Sequence, residues 1–203
     1  MATSEAPLSS VSPAADRRPK RADAKRNYDK VVRAAQEAFA QSGTSTSLED
    51  IARRAGVGIG TLYRNFPNRQ SLLEAVYLGE VDDLSQSAKE FAELPPWEAL
   101  SGWLRRFVAY LATKQALVSE MLQYMDRSAP LFQECRTLMY GAGEPLLRRA
   151  QEAGVVRQDI ALSEVIQLLM GIANLPATEP DTVERLLTVA LDGLRYRPDA
   201  AQH

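Results

Sequence analysis

Among its 203 residues the chain has one cysteine, Cys135, and one histidine, His203. A single thiol excludes an internal disulfide framework and fits a reducing compartment. A single imidazole excludes a catalytic triad or a His-built metal site assembled from one chain. There is no glycine-rich phosphate loop, and no apolar run approaches the ~18 residues that span a bilayer. No apolar segment follows the first charges as it does in a secretory signal. The pattern also lacks strand alternation of useful length, solenoid-spaced repeats and heptad runs. These absences set aside most enzymology, and the expectation is a cytoplasmic chain without metal, cofactor or membrane span. Catalysis would have to rest on carboxylates such as Asp82 with Asp83, or Asp126 with Glu134, which read better as solvated faces or helix ends.

Charge is distributed unevenly behind a net of only −2. Residues 17–69 carry 12 Lys/Arg against 5 Asp/Glu, whereas residues 70–203 carry 12 against 19. A block of net +7 is thus followed by a body of net −7. The first part suits a polyanion, and the second is expected to stay away from one.

Residues 1–22 are rich in Ser, Ala and Pro, have no periodic apolar face, and end on Arg17-Arg18-Pro19-Lys20-Arg21. They read as a flexible tail whose basic end serves either solubility or contact with phosphates. Helical spacing then begins at Asp23, with Tyr28, Val31, Val32, Ala35, Ala38 and Phe39 on one face and Gly43 as a stop. Ser47 is suited to cap a short second helix that Gly56 ends, and Pro67 stops a third after Ile59–Asn65. Asn68 caps a long fourth helix that runs to the Pro95-Pro96 break. Further helices are expected at Trp97–Lys114, Leu117–Met125, Leu131–Tyr140, Pro145–Ala153, Leu162–Leu175 and Thr182–Arg195. The fold class is all-α, with about nine helices.

Leu48 to Phe66, LEDIARRAGVGIGTLYRNF, reads as short helix, glycine turn, short helix. That geometry sets a recognition helix into the major groove of DNA. Ile51, Ala52, Ala55, Val57, Leu62 and Phe66 supply the small core that fixes the angle between the two helices, and Gly56 allows the turn. Facing outward are Gly58, Ile59, Gly60, Thr61, Tyr63, Arg64 and Asn65. The two glycines permit close backbone approach to a phosphate, and Thr61, Tyr63 and Arg64 can bond phosphate oxygens. Asn65 carries the amide that reads adenine, Ile59 can pack on a thymine methyl, and Arg69 is positioned for a second phosphate. Ser47, at the first of these helix starts, is included in the expected DNA-binding set.

The stretch from about Asp23 to Val81 resembles the amino-terminal domain of the TetR family of bacterial transcriptional regulators. The resemblance rests on IARRAGVGIGTLYRNF and the following PNRQSLLEAV, and covers a little over a quarter of the chain. Gly58 stands where the family often has Ser, Ile59 where Lys is frequent, and Glu49 where a basic or polar residue is common; these departures bear on the operator sequence rather than the fold. The resemblance implies a homodimer that binds DNA through the positions matching Thr61, Tyr63, Asn65 and Arg69. It also implies a helical carboxy-terminal domain for ligand binding and dimerisation, dividing the chain at 23–69 and 70–203.

Within that body, 162–175 and 182–195 are apolar over more than one stripe, so a partner subunit is the expected cover, with an intramolecular pairing as the other solution. A two-fold dimer predicts a palindromic operator. Trp103, Phe107, Tyr110, Met121, Tyr124, Met139 and Tyr140 are the candidate pocket residues; the same residues also suit an ordinary core. The expected function is a dimeric repressor of transcription, released from its operator by a small apolar or aromatic effector. A helical protein-interaction module that kept the motif without operator binding is the alternative.

Overall fold

The computed structural model describes residue 19, residues 22–175 and residues 180–195. All but two residues of the expected tail, 1–22, therefore lie outside the described residues, as do 176–179 of the link between the last two helices. The described residues form eight helices: α1 (Ala22–Ser42), α2 (Leu48–Ala55), α3 (Ile59–Asn65), α4 (Arg69–Phe91), α5 (Pro96–Met121), α6 (Pro130–Glu152), α7 (Leu162–Ala173) and α8 (Pro180–Leu194). Apart from one isolated bridge between Val156 and Arg195, no β-pairing occurs among them, and none of these helices is long and apolar enough to cross a membrane.

Local chemistry sets the boundaries of the first half. The apolar stripe of α1 is buried from Tyr28 to Phe39, and Gly43 ends the helix at φ 70°, its N–H donating to the Phe39 carbonyl at 3.0 Å. Asn68 caps α4: its side chain accepts from the Ser71 N–H at 2.8 Å while Ser71 Oγ receives the Asn68 N–H. This reciprocal cap satisfies donors that the first helical turn leaves open. Helix α4 buries residues around most of its circumference because α1, α5 and α6 all pack on it. Helices α2 and α3 close against α1, while α7 packs on α5 and α6 and carries α8.

Two expected breaks are absent. Trp97–Lys114 and Leu117–Met125 are one helix, α5, that ends at Met121; Gln115 and Ala116 are good helix formers and nothing between them interrupts the ladder. Leu131–Tyr140 and Pro145–Ala153 also fuse, into α6, with Pro145 inside it. Proline lacks the N–H that would reach the Gly141 carbonyl one turn back. Gly141 and Pro145 are both exposed, which leaves that carbonyl open to water.

Gly143 has a packing role rather than a breaking one. A Cβ at this position would lie 2.5 Å from the Trp103 ring and 3.0 Å from a Leu162 methyl. Trp103 is fully buried, and its indole N–H donates to the Leu84 carbonyl at 3.2 Å, so the ring cannot retreat without losing that bond. Gly143→Ala is therefore expected to destabilise the protein by about 1–3 kcal/mol through overpacking. Urea denaturation would measure it, and an unchanged midpoint would refute the close contact.

Candidate nucleic-acid interface and effector cavity

Ser47, the first residue of the expected interface, has extended backbone, and its Oγ accepts the Asp50 N–H at 3.1 Å. Its hydroxyl oxygen thus serves as the cap of α2. Asp50 also pairs with Arg53 at 2.5 Å, and that guanidinium holds the Asp50 carboxyl below the usual carboxylate range. Arg54 donates to Gln41 Oε1 at 3.0 Å. Gly56 ends α2 in the left-handed region at φ 65°, and Val57 N–H closes the turn on the Ala52 carbonyl at 3.0 Å. A side chain there would be strained although space is free, so glycine is required by the backbone rather than by packing.

Helix α3 has two distinct faces. Leu62 is fully buried, and the following Phe66 is 1% exposed, its ring 4.8 Å from that of Tyr28. Ile51 and Ala52 of α2 belong to the same core. On the other side Ile59 and Tyr63 are 40% and 45% exposed, and Arg64, Gly58 and Gly60 are exposed with them. Thr61 and Asn65 are half-buried, and Asn65 Nδ2 donates to the Thr61 carbonyl at 2.8 Å. The amide nitrogen expected to read adenine is therefore already engaged by the helix itself.

Arg69 is placed differently from the expectation. Its Nε donates to Glu120 Oε1 at 2.5 Å, its Nη1 to the Thr46 carbonyl at 2.8 Å, and the guanidinium lies over the Phe39 ring at 5.7 Å. This ties the start of α4 to the α1–α2 loop and to the last turn of α5. A phosphate at Arg69 would compete with the partly buried Glu120 carboxylate, a partner 51 residues away that the local pattern of α4 does not reveal.

The candidate pocket residues are mostly core. Trp103, Phe107, Tyr110 and Met121 are buried, with Phe107 ringed by Trp103 and Tyr110. Tyr124 is 47% exposed in the turn after α5, and Tyr140 is half-buried. Of the expected set Tyr110 lines a small groove between α4 and α5, and Met139 lines a cavity of about 320 Å³ between α4, α5, α6 and α7. The apolar wall of this cavity comes from Tyr77, Leu111, Val118, Phe132, Met139 and Met170, and its polar lining from Lys114, Gln115, Ser119, Arg127, Arg136 and Asn174. The Lys114 ammonium sits 5.4 Å from the Tyr77 ring centre and 5.3 Å from that of Tyr110. A lysine on the inward stripe of an apolar helix, in register with Phe107, Leu111, Val118 and Met121, was the sequence signal for this cavity.

A helix-turn-helix with one buried and one exposed face, joined through a central helix to a helical body, matches known proteins over most of the chain. Residues 31–76 match the family profile described as bacterial regulatory proteins, tetR family, and residues 95–196 match that of the SbtR-like transcriptional regulator C-terminal domain. The crystal structure of a TetR transcriptional regulator from Streptomyces coelicolor is 41% identical, covers 83% of this chain and 98% of that one, and superposes with a TM-score of 0.71. A TetR transcription regulatory protein from Mycobacterium vanbaalenii is 34% identical over 88% of this chain and all of its own, also at 0.71. A probable HTH-type transcriptional regulator of Pseudomonas putida, ArpR, is 27% identical over 87% of this chain and 95% of its own. The chain belongs to the TetR family of bacterial transcriptional regulators, a DNA-binding regulator and not an enzyme.

Proposed function

We propose that the protein is a homodimeric repressor that binds a palindromic operator and is released when a small effector with an apolar or aromatic body enters the cavity between α4, α5, α6 and α7. Residues 23–69 then form the DNA-binding unit, and residues 70–203 the effector-binding and dimerisation unit. The observation that carries this reading is the division of α3, which anchors itself through Leu62 while exposing Ile59, Tyr63 and Arg64. A methyl group built at Gly58 or Gly60 meets no atom within 4 Å, so the fold's own packing does not require glycine there. Gly58 is the extended N-cap of α3, where glycine is tolerated, but Gly60 inside the helix costs roughly 1 kcal/mol against Ala. Close approach of a DNA backbone accounts for that cost. Tyr63, Thr61 and Arg64 are assigned to phosphates and Ile59 to a base edge. Asn65 reads a base once its bond to Thr61 opens, and Ser47 acts as the cap that orients α2.

The dimer is assigned to the outer side of α7 and α8. Leu187 and Leu191 are buried, yet Leu168, Leu186 and Val189 remain 47%, 36% and 68% exposed on the same helix pair. An apolar face of this kind on a soluble regulator calls for cover, and a second copy supplies it with two-fold symmetry. Release follows from the placement of Glu120, one residue beyond the cavity-lining Ser119 on α5. Movement of α5 on filling the cavity would draw on Arg69 through Glu120 and turn α3 with it.

Selection of bound duplexes from random DNA tests the reading. The expected product is a two-fold symmetric site whose half-sites lie one helical turn, about 34 Å, or a multiple of it apart. Enrichment of an asymmetric site would remove the dimer, and no enrichment at all would leave the chain an interaction module.

A further inference from the structure

The cavity between α4, α5, α6 and α7 carries three cationic side chains, Lys114, Arg127 and Arg136, and no Asp or Glu among the residues that line it. This runs against the composition around it, since residues 70–203 hold 19 acidic side chains to 12 basic ones. Like charges brought together at the mouth and wall of an apolar space repel each other more strongly than they would in water. Here the arrangement has a definite geometry. Lys114 enters from α5, Arg136 from α6 two turns before α6's Gly143, and Arg127 from the turn that precedes α6.

Lys114 sits deepest of the three. It is half-buried and held between the faces of Tyr77 and Tyr110, whereas Arg127 and Arg136 are exposed. Burial pulls its amine below the ordinary lysine range; Arg136 and Arg127 push the same way, while Cys135 and Glu80 oppose them without reversing the direction. No carboxylate lines the cavity itself; Glu80 acts on Lys114 from α4, outside the lining. An ordinary core would place an apolar side chain here, and an ordinary surface would mix the two signs.

We propose that the effector is an organic anion, a carboxylate carried on an aromatic or aliphatic body, with the carboxylate received by Lys114, Arg136 and Arg127 and the body packed against Tyr77, Phe132 and Met139. The fork of a guanidinium donates two parallel hydrogen bonds to a carboxylate, and the ammonium supplies a further cationic donor. The cavity volume of about 320 Å³ falls within the ordinary range for a small-molecule site. This rests on the proposal that the cavity is the effector site, and adds the charge of the ligand to it.

Four compounds separate the two ideas: 2-naphthoate and its neutral amide, and decanoate and decan-1-ol. Each is titrated against the full-length protein by calorimetry, and each is tested for release of the selected operator. The anion of each pair is expected to bind at least about tenfold more tightly than its neutral counterpart, the scale of one charge-assisted contact. Lys114→Met, which keeps an unbranched stem one atom shorter and removes the charge, is expected to bind operator as the native protein does and to lose that preference. Neutral compounds that bind and release DNA as well as the anions would overturn the anion while leaving the effector reading in place. Failure of all four to bind would overturn both, and a Lys114→Met protein that keeps the full preference would overturn the assigned receptor.

Discussion

Leu62→Ala is expected to lower the stability of the protein by about 2–5 kcal/mol, the range for removing a fully buried leucine from a core that cannot collapse around the gap. Leu62 has no exposed surface, and α3 is only seven residues long, too short to persist without its tertiary anchor. Its neighbours in the core are Ile51 and Ala52 of α2 and Phe66, which stacks at a tilt on Tyr28 of α1. None of these can close on the vacated volume without drawing α3 inward and withdrawing the exposed face. The variant should melt at lower urea concentration and lose operator binding together with the helical signal of the amino-terminal region. A small shift in midpoint, below about 1 kcal/mol, would mean that α3 is held by something other than this core.

The neighbouring residue should behave in the opposite way. Tyr63 is 45% exposed, so Tyr63→Ala removes little packing and is expected to leave the denaturation midpoint within about 0.5 kcal/mol of the native value. Operator binding should nevertheless fall by at least about a hundredfold. A hydrogen bond to a charged group is worth about 1.5–3 kcal/mol, and a dimer loses two of them. The measurement is a binding titration on the selected site beside a denaturation curve on the same preparation. The two adjacent substitutions therefore distinguish folding from recognition on one short helix. Unchanged affinity for Tyr63→Ala would show that the exposed face of α3 does not meet DNA.

Much of the fold was legible because its signals are local. Ser47 and Asn68 each act within three residues, Gly56 answers to its own φ angle, and the stripe of α1 follows the helical period. The assignment of Phe66 to the core and Tyr63 to the surface also followed from spacing on a single helix. What escaped depends on distant parts of the chain. Gly141-Ala142-Gly143 and Pro145 look like a break until Trp103, forty residues earlier, is found against Gly143. Arg69 looks free for a phosphate until Glu120 is brought to it by the packing of α4 on α5.

The cavity between α4, α5, α6 and α7 was the least legible part for the same reason. Aromatic and methionine residues were taken as pocket walls, yet Trp103, Phe107 and Met121 are needed to fill the contacts among α4, α5 and α6. The more informative residues were charged ones in the wrong place. Lys114 lies half-buried on an inward stripe, where a cation is unfavourable unless an opposite charge, a ring face or water meets it, and the exposed Arg127 and Arg136 flank the same cavity.

The central claim is that an acidic chain binds a specific duplex through its basic amino-terminal block. The most direct measurement is the affinity for the selected operator and for a scrambled duplex across a series of salt concentrations. A plot of log affinity against log salt should fall linearly for the operator, by about 0.9 for each phosphate neutralised, with the scrambled duplex at least about a thousandfold weaker throughout. Equal affinity for the two duplexes, or binding indifferent to salt, would contradict the account.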